Sequence, residues 1–126
     1  MEFFREVPFR ELDVSDLKKL VVLNNLTTLC ASISTVTPIN TYEAEIFCIW
    51  GTFELRCDEL KCGVRYSLID CPHAFAWTVT YDKARELIVI HCVLDKTEAE
   101  LDPDFVESID EFATDWEIGI QKALGK

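Results

Sequence analysis

Four runs of alternating apolar and polar residues follow one another between Tyr42 and Leu94, with connections of only a few residues between them. A parallel neighbour needs a crossover of a dozen residues or more, so such connections admit only antiparallel pairing. The spacing predicts strands over about 42 to 57 with a bend at Gly51, 62 to 70, 74 to 81 and 86 to 94. Pairing Cys57 with Cys62 across a four-residue turn sets Leu55 opposite Val64 and Phe53 opposite Tyr66. The other face then carries Glu54, Arg56, Arg65 and Ser67, the alternation of a sheet with one buried side. For the last hairpin, a turn at 82 to 85 puts Phe75 opposite Cys92, Trp77 opposite Ile90 and Val79 opposite Ile88. Its second face, Ala74, Ala76, Thr78, Val89, His91 and Val93, is less polar than a solvated face and points to cover or a partner.

Helices are expected on both sides of this block. Asp13 or Ser15 can cap a helix that starts at Asp16 or Leu17 and runs to about Ala31. On a wheel, Leu17, Leu20, Val21 and Ala31 form one apolar face, and Val22, Leu23, Leu26, Leu29, Cys30 and Ile33 form another. A helix apolar on two sides lies between two layers, and a homodimer is the economical way to cover the second. Before it, residues 1 to 12 read as an edge strand broken at Pro8. At the other end Asp102 and Pro103 open a final helix whose stripe is Phe105, Ile109, Phe112, Trp116, Ile120 and Ala123, with Gly125 marking its end. The expected fold is α+β, one domain over residues 1 to 126: a four-stranded antiparallel meander with the N-terminal and C-terminal helices on one face.

Composition narrows the class. A chain of 126 residues that is 49% hydrophobic, with 14 aromatics but only 4 Gly and 4 Pro, has the material for one ordinary core. Glu2 and Glu6 stand at the N-terminus, and the longest apolar stretch, Leu87 to Leu94, is interrupted by His91, so neither a leader nor a membrane span is expected. The six cysteines fall mostly in strand-like runs and read as reduced thiols of a cytoplasmic protein. With 23 acids against 12 bases, the net charge of −11 would repel phosphate backbones and anionic lipid heads. Direct nucleic-acid and membrane binding are therefore not expected; the partner is a basic protein surface or another protein.

That charge is concentrated. Asp95, Glu98, Glu100, Asp102, Asp104, Glu107, Asp110, Glu111, Asp115 and Glu117 face a single base, Lys96, up to residue 117. Carboxylates three and four residues apart on a helix stand roughly 5–6 Å from one another, near the phosphate repeat of a nucleic-acid strand, as a nucleic-acid mimic would need. A solvated face that keeps the protein soluble would look similar, but such faces usually mix signs, and this helix has no base before Lys122. Asp104, Glu107, Asp110, Glu111 and Asp115 are the candidate partner-binding residues.

Metal and thiol chemistry have weaker support. Cys71 and His73 share one turn, and His91 and Cys92 return toward it, but the latter two alternate across a strand and no Cys-x₂-Cys pair is present. A Cys71 and His91 dyad lacks a third orienting group. Phosphate loops, nucleophile elbows and His-Glu-x-x-His helices are missing too. No metal, cofactor or catalytic residue is assigned.

In its acidity, its strand-rich middle and its terminal amphipathic helix, the chain resembles type III secretion chaperones and bacteriocin or toxin immunity proteins. The resemblance lies in composition and element order, and the chaperone pattern has a helix where this chain has a hairpin, so no residue is carried over. The expected function is non-catalytic: an acidic inhibitor, immunity protein or chaperone that covers a basic or hydrophobic surface. The alternative is a structural homo-oligomer built on the two-faced first helix.

Overall fold

The computed structural model describes residues 1–95 and 102–125. Its elements in chain order are β1 (Glu2–Pro8), α1 (Val14–Leu20), a 3₁₀ turn (Leu23–Asn25), α2 (Leu26–Leu29), β2 (Ile33–Pro38), β3 (Glu43–Cys48), β4 (Gly51–Leu60), β5 (Gly63–Ile69), β6 (Ala76–Asp82), β7 (Leu87–Val93) and α3 (Pro103–Ala123). All strands join one antiparallel sheet in the order β1-β7-β6-β5-β4-β3-β2. The meander thus runs from β2 to β7, and β1 returns to close its far edge.

The sheet has seven strands, not the expected four, for three reasons. Gly51 adopts φ +113, a conformation that favours glycine. The expected bend there is a reversal, in which Cys48 pairs with Gly51 around Ile49-Trp50, and one long strand becomes β3 and β4. β2 is an edge strand with Ser and Thr outward and a register irregularity between Ile33 and Thr35, which removes the alternation that would announce it. β1 adds the last strand at the opposite edge and ends at Pro8, as expected.

Both hairpin registers also differ from expectation. Leu60 pairs with Gly63, so the β4–β5 turn has two residues, and Leu55 faces Leu68 while Cys57 faces Tyr66. In the last hairpin Trp77 faces Cys92, Val79 faces Ile90 and Tyr81 faces Ile88. Each slip is even, and because side chains alternate with period two, every residue keeps its face. The inward set keeps its side: Leu55, Val64, Tyr66, Phe75, Trp77, Val79, Ile88, Ile90 and Cys92 are buried, and Phe53 is half-buried.

The first helix is the largest correction. α1 is capped by Asp13, whose carboxylate accepts from the Ser15 N–H at 2.9 Å, but it ends at Leu20. Val22 is extended (φ −66, ψ 155), and the Asn25 side-chain amide donates to the Leu20 carbonyl at 2.8 Å, holding the break. The bend turns both apolar sets into one core: Leu17, Val21, Leu23, Leu26, Leu29, Cys30 and Ile33 are at most 5% exposed. No two-sided helix is left for a second subunit to cover. Of the two sets, Val22, 44% exposed, and Ala31 are left outside.

Tyr66 ties this segment to the sheet by donating its hydroxyl to the Val21 carbonyl. α3 packs beside it, with Ile109, Phe112, Ala113, Trp116 and Ile120 buried among Phe75, Trp77 and Tyr66. Gly119 faces Leu29 so closely that a Cβ there would stand 1.8 Å from the Leu29 carbonyl oxygen. No helix of the described residues is long and apolar enough to cross a membrane.

Candidate functional site

α3 begins as its sequence implies. The Asp102 carboxylate accepts from the Asp104 N–H at 2.8 Å, and Pro103 occupies the first turn, where its missing N–H costs nothing. Its core stripe then fixes the helix's rotation, and with it the direction in which each carboxylate points.

The five candidate partner-binding residues divide. Asp104, Glu107 and Glu111 are exposed and make no ion pair among the described residues. They form a ridge about 10 Å long, at a rise of about 1.5 Å per residue. Asp110 instead pairs with Arg5 of β1, whose guanidinium also lies 4.0 Å from Glu117 and 3.4 Å from the Thr114 hydroxyl. Asp115 is half-buried and accepts a hydrogen bond from Ser32, itself 3% exposed. These two carboxylates anchor α3 to β1 and to the start of β2. Lys96, Glu98 and Glu100 lie outside the described residues.

Sequence reasoning missed Arg5, although the signal was present. Phe3, Arg5 and Val7 alternate with Phe4 and Glu6, which places Arg5 on the same side as the buried Val7. A base on the inward face of an edge strand has to find carboxylates on whatever covers that face.

The residues weighed for metal or thiol chemistry are separated. His91 lies on the outer face, stacked on Phe4 at 4.3 Å with its Nε2 3.0 Å from Glu2. Cys92 points inward from the next position and is fully buried. Only Cys71 and His73 meet, in the lining of an apolar cavity of about 190 Å³ beside the first turn of α3. Burial pushes the Cys30 and Cys92 thiols up to about 12 and Cys57 up to about 11, so these three stay protonated at neutral pH.

Among the described residues, no element packs on the sheet face away from the helices. Thr78, Val89, His91 and Val93 are half-buried by one another and Ala76 is buried, while Ala74 leaves the strand at φ +50. Phe4 and Phe47, at opposite sides of this face, are 53% and 51% exposed.

No family model matches the chain, and no curated protein does either. Among solved structures, an uncharacterized protein from Bacillus thuringiensis is similar, with a TM-score of 0.61 at 10% identity over 93% of this chain and 96% of that one. The likeness extends over nearly the whole of both chains and concerns the fold.

Proposed function

We propose that this is a non-catalytic binding protein that covers a basic surface of another protein, as an inhibitor, immunity protein or chaperone does. The observation that carries the reading is the division of the α3 carboxylates. Asp110, Glu117 and Asp115 are engaged within the molecule, whereas Asp104, Glu107 and Glu111 are exposed over two turns with no cation among the described residues to neutralise them. Like charges at this spacing cost a few tenths of a kcal/mol per pair. A cationic partner would remove that cost, and the net charge of −11 would steer it inward. At about 10 Å the ridge imitates only a few phosphates, so a basic protein patch suits it better than a long nucleic-acid groove. Six free thiols, four of them buried, suit a reducing compartment, and the cytoplasm is the proposed location.

The test is affinity capture from an extract of the producing cell at graded salt, with the protein and its Asp104→Asn, Glu107→Gln, Glu111→Gln variant as baits. A basic protein retained at low salt by the native bait and lost to the variant supports the reading. An identical set on both baits contradicts it.

Self-association is a second reading, favoured by Phe4 and Phe47 on the outer sheet face. Native mass spectrometry under reducing conditions decides it: a dimer supports this reading, and a monomer removes it.

A further inference from the structure

The cavity beside α3 has walls of Trp50, Leu68, Cys71, His73, Phe75 and Phe105. Its volume of about 190 Å³ exceeds the ~150 Å³ in which an apolar protein cavity accepts benzene. The walls are held in place before any ligand arrives. Trp50 donates its indole N–H to Ser108 Oγ at 2.8 Å, and Ser108 donates to the Phe105 carbonyl. Trp50 meets Phe75 edge to face with ring centroids 5.0 Å apart, and His73 lies against Phe105 at 4.7 Å. Little side-chain freedom would be lost on filling such a cavity, which is what makes an anchor site productive.

Its surroundings are acidic. Asp70 directly precedes Cys71, Asp104 directly precedes Phe105, and the Asp95 N–H donates to the His73 carbonyl at 3.2 Å; all three aspartates are exposed. Among the described residues, none that lines it is a Lys or Arg. An apolar recess bordered by exposed aspartates selects a group that is apolar at its tip and positively charged close by.

The geometry points to this cavity as the anchor site of the basic partner: it takes one aromatic side chain of a segment whose neighbouring Lys or Arg residues meet Asp70, Asp95 and Asp104. The inference rests on α3 being the docking element and adds the place where affinity, as distinct from steering, arises. A single ring is the occupant because the volume holds little more, and its flanking cations are set by the three aspartates.

The probe is an amidated peptide with a central phenylalanine and two lysines on each side, compared with its central-alanine counterpart in ¹H–¹⁵N NMR titrations of the full chain. The phenylalanine peptide is expected to move the Trp50 indole N–H resonance and to bind on the order of tenfold more tightly. Cys71→Phe, which fills the cavity from its half-exposed rim, should abolish that advantage while leaving the weaker lysine-driven binding. If Cys71→Phe does not fold, the two peptides on the native protein still decide. Equal binding with shifts confined to Glu107 and Glu111 overturns the anchor and leaves the ridge reading standing. Absence of binding by both peptides also overturns it, and the salt-graded capture then judges the wider reading independently.

Discussion

At Gly119 a single added methyl group would meet backbone. Its Cβ would fall 1.8 Å from the Leu29 carbonyl oxygen, a backbone atom that cannot swing aside. Gly119→Ala therefore forces α2 and α3 apart, and although alanine is the better helix former, the strain of overpacking, about 1–3 kcal/mol or more, outweighs it. Chemical denaturation should show the loss as a lower midpoint; an unchanged midpoint would mean that the two helices do not approach as described. The buried thiols make a second residue-level prediction. Below their ordinary value of 9.0, Cys30 and Cys92 are protonated in both folded and unfolded chains. Above it the unfolded chain loses those protons while the folded protein keeps them until about 12, so stability falls as pH rises across that window. The slope is up to about 1.4 kcal/mol per pH unit for each thiol. Urea midpoints measured from pH 8 upward should show the fall, and Cys30→Ala with Cys92→Ala should flatten it in part, since buried Tyr66 also rises above its ordinary 10.0.

At the scale of elements, what could be read from sequence depended on whether a local signal was unopposed. α3 was legible because its cap, its proline and its apolar stripe agree, and each is realised by Asp102, Pro103 and the buried run from Ile109 to Ile120. Faces of the central strands were legible while registers were not, because turn length is set by residues 61 to 62 and 83 to 86, where Glu86 takes φ +53, and alternation does not register an even slip. The break after Leu20 was hidden for a different reason. Leu17 through Ile33 satisfies a helical wheel, whereas the Asn25 amide on the Leu20 carbonyl and the Tyr66 hydroxyl on the Val21 carbonyl hold the bend. The candidate site was half legible: exposure of Asp104, Glu107 and Glu111 follows from α3's own periodicity, whereas the diversion of Asp110 to Arg5 and of Asp115 to Ser32 required the tertiary fold. Arg5→Gln should loosen α3 from β1 by about 1 kcal/mol or less, because the pair is partly exposed, and the loss should shrink at high salt. Hydrogen exchange of the outermost amides of β1 and of α3 would report it; a loss indifferent to salt would place Arg5's contribution in packing.

Over the whole molecule, the fold turns the helices of the described residues toward one side of a seven-stranded sheet, and three of its surfaces bear on contact: the outer sheet face, the carboxylate ridge of α3 and the cavity at that helix's start. The similar Bacillus thuringiensis structure shows that the fold recurs at 10% identity. A fold hosts many functions, so the reading has to come from the surfaces themselves. Of the three, the ridge and cavity adjoin each other and combine charge with an apolar recess, which is why the account places partner binding there. Steering and anchoring make separable contributions, the first to association rate and the second to lifetime.

The central claim is tested most directly by the kinetics of binding to the captured basic partner, followed for the native protein and the Asp104→Asn, Glu107→Gln, Glu111→Gln variant between roughly 50 and 500 mM salt, a range over which the Debye length falls from above 10 Å to a few ångströms. The account predicts that the native association rate falls steeply with salt, that the variant associates more slowly at low salt, and that the two converge at the highest salt with similar dissociation rates. Association rates that are equal for the two proteins and indifferent to salt would contradict it and reduce the α3 carboxylates to a solubility device.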